Sequence, residues 1–446
     1  MRKNKTFEDV VKNDYYRSYS HFDIRVKLEE VYDYISNPQN VATHSFYPFI
    51  LDSRPKLKVH TEKSPKDGRF EKTYRPICYA AHLDRCIYQC YSYKLNQDYN
   101  NYIKNTLIDK CSKAYRTNLP GKTNIDFAKE VFDFIKGTNK CGIIVGDFKS
   151  FFDNLDHKYL KERLKQLLNV TSLPADMYAV YKNITRYSKW NIEDIFKIRK
   201  EEDPKLNEDD IRYGRIILNR SQFKNNVNRC VEHNKKIGIP QGSSISAVLA
   251  NIYMIEFDSR ISLFLEKMNG KYVRYSDDFI IIVPYLEKEV LEKTYDKLLE
   301  EVKDAKLMLQ SDKTQLFSYE NQTVLPLQNV LNGVETKSKK LNYLGFSFDG
   351  KKVSLRDKTI SKYYNKVYRK IKTIVKHNFV SKYGNPISCN NLYALYSKNG
   401  AIPNSENKWG NFITYVNKCE KIFGKDENVN LIKRRHMQKI RKRLKR

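Results

Sequence analysis

The chain has 446 residues, and 82 Lys and Arg outnumber 52 Asp and Glu to give a formal net charge of +30 at pH 7. Hydrophobic residues at 40% and aromatic residues at 13% exclude a largely disordered chain. No run of about 18 apolar residues is present, and the N-terminus lacks the apolar segment of a secretory signal, so we expect a cytoplasmic protein without a transmembrane helix. This charge predicts a polyanionic partner, a nucleic acid first and an anionic membrane surface second.

The first predicted elements are helical and then β. Residues 1–55 form a partly helical layer in which FDIRVKLEEVYDYI has apolar residues near helical spacing. Strand-like runs then flank the turn signal Lys66-Asp67-Gly68 and predict a β-hairpin. HLDRCIYQCYSYKLNQDYNNYI predicts a helix, and CGIIVGDF predicts a buried strand over 141–148. Residues 190–237 are dense in charge and predict an insertion or an exposed helical excursion.

The second half begins with GIPQGSSIS, a loop over 238–246 that leads into an amphipathic helix. KYVRYSDDFIIIV, over 271–283, predicts two strands around a Ser-Asp-Asp turn, and EKEVLEKTYDKLLEEVKDAKL predicts a helix. Short strands are expected at 314–319 and 341–348. This order is neither a regular βαβ series nor all helical, so it predicts an α+β fold with a mostly antiparallel sheet under helices.

Charge is concentrated at the C-terminal end. Residues 351–446 contain 25 Lys and Arg against 5 Asp and Glu, which accounts for +20 of the net +30. TISKYYNKVYRKIKTIVKHNF predicts a helix with one apolar and one basic face. Residues 431–446 contain nine basic residues, and two interpretations stay open for them: a tail that binds RNA and a disordered cationic tail.

Three carboxylates stand where chemistry is expected. Asp277 and Asp278 lie at a tight turn between apolar strands, and Asp147 ends another apolar strand. Adjacent like charges repel each other, and a bound cation relieves the repulsion, although Asp is also a common turn residue. Carboxylates of this kind suit Mg²⁺, and two such ions promote phosphoryl transfer. With this net charge, the substrates would be a nucleic acid and a nucleoside triphosphate.

The loop GIPQGSSIS lies between these carboxylates in the sequence. Gly238 and Gly242 permit close approach of another backbone, and the amide of Gln241 is available for hydrogen bonds. Alone, this segment is an ordinary loop before a helix. Its position between two carboxylate motifs favours a functional role.

Together the three segments resemble the palm motifs of reverse transcriptases: GDFKSFF the first, GIPQGSSIS the second and YSDD the third. RPICYAAHLDRCIYQ is similar to a fingers segment shared by group II intron and related bacterial enzymes. SDKT resembles the following Lys-containing motif, and LNYLGFSF resembles the primer-grip hairpin. The resemblance implies a right-hand polymerase with an N-terminal extension over 1–55, fingers over 56–140, a palm over 141–349 with a fingers insertion around 166–237, and a basic helical thumb and tail over 350–446.

The resemblance also implies catalytic roles. Asp147, Asp277 and Asp278 would hold two Mg²⁺ ions, with Mn²⁺ as an alternative metal and the carbonyl of Phe148 as a further ligand. Lys313 would neutralise or protonate the pyrophosphate leaving group; the alternative is a surface lysine.

Four further residues would contact the incoming nucleotide. Phe152 would be the steric gate that disfavours a 2′-hydroxyl, and its alternative role is a core aromatic. Gln241 would line the nucleotide site. Arg75 and Lys72 would reach the phosphates from the fingers hairpin, where a guanidinium suits phosphate geometry, although exposed hairpins also carry such charges for solubility.

The motifs that this sequence lacks indicate which subfamily of reverse transcriptases it resembles most. The Gly-Gly and Ser-Pro usual in group II intron enzymes are absent from GSSISAVLANIYM, and so are the Asn-Ala-x-x-His and Val-Thr-Gly elements usual in retron enzymes. The pattern is most similar to the abortive-infection and defence-associated bacterial enzymes. This implies RNA-directed DNA synthesis in antiphage defence. The expected partners are an RNA template or non-coding RNA, deoxynucleoside triphosphates and a DNA product. Homo-oligomers stay open, and no membrane partner is expected. The alternatives are an intron-type maturase and a non-catalytic RNA-binding protein on a polymerase scaffold.

Overall fold

The computed structural model describes residues 6–59, 70–232, 235–331, 333–380, 384–387, 389–396 and 411–444. The N-terminal layer contains a 3₁₀ turn, Glu29–Val31, and three short helices: α1 (Phe7–Lys12), α2 (Tyr32–Ser36) and α3 (Pro38–Ala42). The expected helical spacing is only partly realised, because residues 22–28 are not helical and Ile24 is exposed. Asp14 explains this local structure, since its carboxylate accepts a hydrogen bond from the Leu28 amide and binds Arg85 at 3.0 Å.

The next elements form the predicted hairpin and its supporting helices: β1 (Phe49–Val59), β2 (Phe70–Tyr79), α4 (His82–Ile103), α5 (Leu107–Cys111) and α6 (Asn124–Gly137). Strands β1 and β2 pair antiparallel in continuous register, which confirms the hairpin. The predicted turn at Lys66-Asp67-Gly68 lies outside the described residues.

After these come β3 (Lys140–Asp147), α7 (His157–Leu168), α8 (Ala175–Thr185), β4 (Ser188–Asn191), α9 (Ile192–Glu202), α10 (Glu208–Tyr213), α11 (Arg220–Asn225) and β5 (Val231–Glu232). The expectation of an exposed excursion over 190–237 is wrong for part of this segment. Its apolar side chains, among them Trp190, Ile195 and Phe196, form a separate buried core. Strand β4 pairs parallel with β1, so the segment extends the hairpin into a sheet of order β2-β1-β4-β5.

A second sheet is built from distant segments. The elements that follow are α12 (Ser244–Tyr253), α13 (Ile255–Glu266), β6 (Lys271–Tyr275), β7 (Asp278–Val283), α14 (Lys288–Asp304), β8 (Gln315–Glu320) and β9 (Thr323–Pro326). Strands of this antiparallel sheet lie in the order β6-β7-β3-β8-β9.

Both faces of this sheet are covered. Phe279 and Ile281 join the core that contains residues of α12, α13 and α14, whereas Ile280 and Ile282 join the core that contains residues of α6. Burial on both faces explains why β7 reads as a continuous apolar run rather than an alternating one.

The C-terminal elements are β10 (Leu341–Tyr343), β11 (Phe346–Phe348), β12 (Val353–Leu355), α15 (Asp357–Lys376), α16 (Asn390–Tyr396), α17 (Phe412–Phe423) and α18 (Glu427–Leu444). Helices α15 and α18 pack together, with Val367, Ile371 and Ile440 buried between helices of this region. The alternative of a disordered tail is therefore wrong up to Leu444. Within the described ranges, no helix has both the length and the apolar character needed to cross a membrane.

Candidate active site

The central feature of the site is the register between β3 and β7. Asp147, the last residue of β3, lies directly opposite Asp278, the first residue of β7. Directly opposed residues in an antiparallel pair have side chains on the same face of the sheet, about 5 Å apart at Cβ. Two of the three predicted carboxylates therefore meet at one end of the sheet.

Asp277 is held beside them by the turn between β6 and β7. The two turn residues are Ser276 and Asp277, and Ser276 has a φ of +63°, in the left-handed region where such hairpin turns usually have glycine. The hydroxyl of Tyr115 donates to the Ser276 hydroxyl at 3.0 Å. The carbonyl of Asp277 accepts a hydrogen bond from the Phe148 amide at 3.2 Å, which ties the turn to the end of β3.

A buried ion pair supports this turn from beneath. Arg274 and Asp258 are both fully buried, and the guanidinium binds both carboxylate oxygens, with Nε at 2.8 Å from Oδ1 and Nη2 at 2.6 Å from Oδ2. Arg274 also donates to the Ser276 carbonyl at 3.0 Å. Burial by itself would lower the pKa of Arg274, but the Asp258 carboxylate raises it above its usual value, so the arginine stays charged.

The sequence analysis missed this pair. A signal was available, because Arg274 lies between Val273 and Tyr275 in β6 and Asp258 lies on the mostly apolar face of α13. A charge in such a position needs a buried partner.

Lys313 lies beside Asp147. Its ammonium group forms an ion pair with the Asp147 carboxylate, while the Lys313 side chain remains 55% exposed. The Asp147 carbonyl accepts a hydrogen bond from the Gln310 amide at 2.8 Å, which fixes the 3₁₀ turn Ser311–Lys313 against β3. The predicted Lys-containing motif is thus brought to the carboxylates.

The electrostatics of the site reflect crowded negative charge. Partial burial, and then the charges of Asp277 and Asp147, raise the pKa of Asp278 to about 6, although part of its side chain is exposed. Burial also raises the pKa of Asp147, and the Asp277 charge adds to this while Lys313 opposes it. Burial by itself would lower the pKa of Lys313, but the hydrogen bond to Asp147 and the charges of the three carboxylates together raise that pKa above its usual value.

These groups fit a magnesium site that substrate completes. Within the residues that the structure describes, no three His, Cys, Asp or Glu side chains form a group able to enclose a metal ion by themselves. Mg²⁺ is commonly held by one or two carboxylates together with substrate phosphates, and the paired Asp147 and Asp278 match that requirement. Phe148 is buried and forms an isolated antiparallel β-bridge with Leu309, next to the ends of β3 and β7 that carry the carboxylates.

The GIPQG loop lies against the fingers hairpin. The carbonyl of Gln241 accepts a hydrogen bond from the Cys78 amide of β2 at 2.8 Å. Gly242 has a φ of +117°, and a Cβ there would stand 2.4 Å from the Cys78 carbonyl oxygen. At Gly238, with a φ of +93°, a Cβ would stand 2.8 Å from the Asp153 carbonyl. The expectation that these glycines permit close backbone approach is confirmed.

The remaining predicted residues surround this loop and hairpin. Phe152 is partly buried against the large core, and its carbonyl accepts a hydrogen bond from the Ile239 amide at 2.9 Å. Arg75 is exposed on β2. Lys72 lies on the same strand, but its side chain is outside the described part of the structure. The described contacts of Phe152 also suit its alternative role as a core aromatic.

Comparison with protein families decides what kind of chain this is. Residues 63–348 match the family described as reverse transcriptase (RNA-dependent DNA polymerase), which is more than half of the chain. The chain belongs to this family. The match, together with the antiparallel sheets and covering helices, confirms the predicted α+β right-hand polymerase fold. Reverse transcriptases generally use divalent metals. No curated protein is similar enough in sequence to count as a relative of this reverse transcriptase.

Solved structures similar to this reverse transcriptase include telomerases from two Candida species. Apo telomerase from Candida tropicalis, truncated from the C-terminal domain, has 15% sequence identity and a TM-score of 0.45, and the alignment covers 78% of this chain and 65% of that one. Telomerase from Candida albicans with a TWJ fragment of telomeric RNA has 13% identity and a TM-score of 0.38, with 73% and 48% covered. This chain thus spans less than two thirds of the length of these telomerases.

Proposed function

We propose that this reverse transcriptase is an active, metal-dependent RNA-directed DNA polymerase. The observation that carries the proposal is the direct pairing of Asp147 with Asp278 at the end of β3 and β7, with Asp277 tied to the same strand end. A cluster of negative charge here would repel a nucleic acid unless a cation neutralised it. A protein that only binds RNA has no need of such a cluster.

Asp147, Asp277 and Asp278 would hold two Mg²⁺ ions, or Mn²⁺, with the Phe148 carbonyl as a further ligand. When bound, these ions activate the attacking hydroxyl and stabilise the leaving oxygen. Lys313, already paired with Asp147, supplies positive charge or a proton to the departing pyrophosphate.

Around this centre, the other predicted residues would position the nucleotide. Gln241 lines its site, and Phe152 restricts the space beneath the sugar. Arg75 and Lys72 approach the phosphates from β2. The contact between the Gln241 carbonyl and the Cys78 amide supports this arrangement, because it holds the hairpin strand that carries both cations against the loop.

We propose antiphage defence as the biological role, with a non-coding or template RNA as partner, DNA as product and the possibility of homo-oligomers. The sequence departures from the group II intron and retron patterns support this subclass. The basic C-terminal helices provide sequence-independent contacts with nucleic acid phosphates.

The test of catalysis is the double variant Asp277→Ala/Asp278→Ala, assayed for deoxynucleotide incorporation on an RNA template with a DNA primer. We expect loss of incorporation, because the variant lacks two of the three carboxylates. The control Glu289→Ala/Asp296→Ala removes two exposed carboxylates of α14 and should retain incorporation. Full incorporation by the first variant would refute the proposal.

The partner and the role need a separate test. Sequencing of the RNA and DNA that co-purify with the protein should show a short non-coding RNA and a complementary DNA. A large self-splicing RNA would favour the maturase alternative. Protection against phage that survives in the Asp277→Ala/Asp278→Ala protein would favour the non-catalytic alternative.

A further inference from the structure

A basic recess lies outside the proposed catalytic site. It is formed where the first turn of α7, the second half of α8 and residues 235–236 meet the chain after α14, and its volume is about 650 Å³. None of the residues proposed to bind metal or nucleotide lines it. We call this cavity the basic recess.

The basic recess has a large excess of positive charge. Lys306 pairs with Asp156 at 3.1 Å. No ion pair within the described ranges involves the other six cations, which are Lys158, Lys161, Lys182, Arg186, Lys235 and Lys236. Asp156 is the one carboxylate in this lining, so the six remaining cations repel each other, and their concentration favours a bound anion.

The walls of the recess are fixed by hydrogen bonds. Asp156 caps α7 by accepting from the Tyr159 amide at 2.7 Å. The His157 ring lies 2.7 Å from the Gly238 carbonyl through Nε2, and the His157 carbonyl accepts from the Tyr181 hydroxyl at 2.7 Å. The recess is therefore a preformed concave site rather than a set of independent surface lysines.

An aromatic side chain lies on the same wall. Tyr178 is 44% exposed, and Lys161 is positioned over its ring at 5.1 Å from the centroid. The Tyr181 ring stacks beside it at a centroid distance of 6.3 Å. An exposed ring next to clustered cations suits a ligand that combines a base with phosphates.

We propose that the basic recess binds the triphosphate group of a nucleotide, which belongs either to a free nucleoside triphosphate or to the 5′ end of an RNA. A cavity of this volume is about 9 Å across, so one strand of a duplex, which has a phosphate for about every 3.4 Å of helix axis, would place at most about two or three single charges in it. A triphosphate places more charge in the same space, because its terminal phosphate carries nearly two charges. The six cations match this compact ligand better than a backbone.

The basic recess lies close to the GIPQG loop along the chain. Lys236 belongs to the segment that leads into Gly238, and the His157 amide donates to the Lys236 carbonyl at 3.0 Å. A triphosphate held here is thus one short segment away from the GIPQG loop. The recess can serve as a docking point for the end of a bound RNA without occupying the incoming-nucleotide site.

The test measures binding of the full chain to RNAs of about 12 nucleotides that are identical except for a 5′-triphosphate or a 5′-hydroxyl, in EDTA to suppress metal-dependent binding at the carboxylates. We expect at least about tenfold tighter binding of the triphosphate RNA, since several charged hydrogen bonds are added. Lys182→Gln/Arg186→Gln should abolish this preference. The matched control Lys293→Gln/Lys303→Gln, two exposed lysines of α14, should retain it.

Two further measurements separate the recess from the catalytic site and identify the source of the triphosphate. Arg75→Ala should leave the preference intact, and Lys182→Gln/Arg186→Gln should leave nucleotide incorporation intact. Competition by ATP as strong as that by the RNA would assign the recess to free nucleotides, and weak competition would assign it to the RNA end. Equal binding of both RNAs by the wild type, or equal loss of both in Lys182→Gln/Arg186→Gln, would overturn the proposal in favour of general backbone contact.

Discussion

Arg274 and Asp258 form a bidentate ion pair that is fully buried directly beneath the turn carrying Asp277. Removing one partner leaves an uncompensated charge in the protein interior, which costs far more than the loss of an exposed pair. We predict that Asp258→Asn lowers the free energy of unfolding by about 3–5 kcal/mol, measured by urea denaturation.

The control for this prediction is the exposed pair of Lys129 and Asp133 on α6. Asp133→Asn should change the free energy of unfolding by less than about 1 kcal/mol. The joint replacement Asp258→Leu/Arg274→Met should cost less than Asp258→Asn alone, because no charge remains buried. A loss under about 1 kcal/mol in Asp258→Asn would contradict the buried pair.

Gly242 provides a second prediction. Gly242→Ala combines a left-handed backbone with a clash against the Cys78 carbonyl, whereas Gly121→Ala introduces only the left-handed backbone, since nothing lies within 4 Å of its Cβ. We expect a destabilisation of about 1–2 kcal/mol for Gly121→Ala and about 1–3 kcal/mol more for Gly242→Ala. Thermal or urea unfolding measures the stability of both variants. Equal losses would show that the backbone at Gly242 is not in contact with the backbone at Cys78.

The raised pKa of Asp278 predicts a pH-dependent stability in EDTA. The folded protein binds the Asp278 proton more tightly than the unfolded chain does, so this stabilising contribution is present below pH 3.8 and is lost as the pH rises through about 6. Asp278→Asn should therefore be more stable than the wild type at pH 7 by about 1 kcal/mol, a value reduced for the exposure of the carboxylate. The difference should shrink towards pH 4.

Two comparisons test the origin of that difference. Asp296→Asn, an exposed position on α14, should show no such pH dependence. Mg²⁺ at pH 7 should stabilise the wild type more than Asp278→Asn, because the metal relieves repulsion that only the wild type has. A stability advantage of Asp278→Asn that stays constant from pH 4 to pH 7 would rule out a charge effect.

Lys313 provides a prediction about catalysis. The ion pair with Asp147 keeps its ammonium charged and in place. We predict that Lys313→Ala lowers single-turnover nucleotide incorporation by about 10²-fold, the typical contribution of a positioned proton donor. The activity of the wild type should fall from low to high pH, and the activity of Lys313→Arg should fall less over the same range. Lys337→Ala, an exposed lysine outside the site, is the control. Unchanged incorporation by Lys313→Ala would show that Lys313 is a surface lysine without a catalytic role.

The basic helix α18 needs substitution rather than truncation. Loss of residues 431–446 should weaken nucleic acid binding, but it would also remove the buried side chains of Ile432, His436 and Ile440 from the core of the C-terminal helices. A change in binding would then have two causes.

Three exposed arginines avoid this problem. The triple variant of Arg434, Arg435 and Arg441 to Gln should weaken binding of an RNA–DNA duplex and reduce its salt slope by up to about 2–3, one phosphate contact for each lost charge. The corresponding replacement of Lys267, Lys293 and Lys303 should leave both quantities unchanged. An unchanged slope in the arginine variant would place the nucleic acid elsewhere.

The parts of the fold that the sequence predicts correctly depend on local signals. The apolar run from Phe279 to Val283 and the turn residues before it were enough to locate β6 and β7. The register that places Asp147 opposite Asp278 is different, because it joins segments far apart in the chain and no local pattern specifies it. Only the resemblance to reverse transcriptases implied that these carboxylates would meet.

The failures also have physical causes. In the segment after α8, apolar residues such as Trp190 and Ile195 are separated by charges, so their common burial becomes visible only when β4 pairs with β1. The basic recess combines cations from segments that are distant in sequence, and each segment alone resembles an ordinary solvated face. Both features depend on tertiary contacts that periodicity does not report.

The hydrogen bond from the Cys78 amide to the Gln241 carbonyl joins the hairpin and the GIPQG loop through main-chain atoms alone. The side chain of Cys78 must still fit the core, but the hydrogen bond itself sets no requirement on it and therefore imposes no correlated change between positions 78 and 241. The link instead requires that residue 78 is not proline, which has no amide hydrogen, and that position 242 has no side chain. Two chains with little sequence in common could therefore share this mechanical connection, and pairwise co-variation would not detect it.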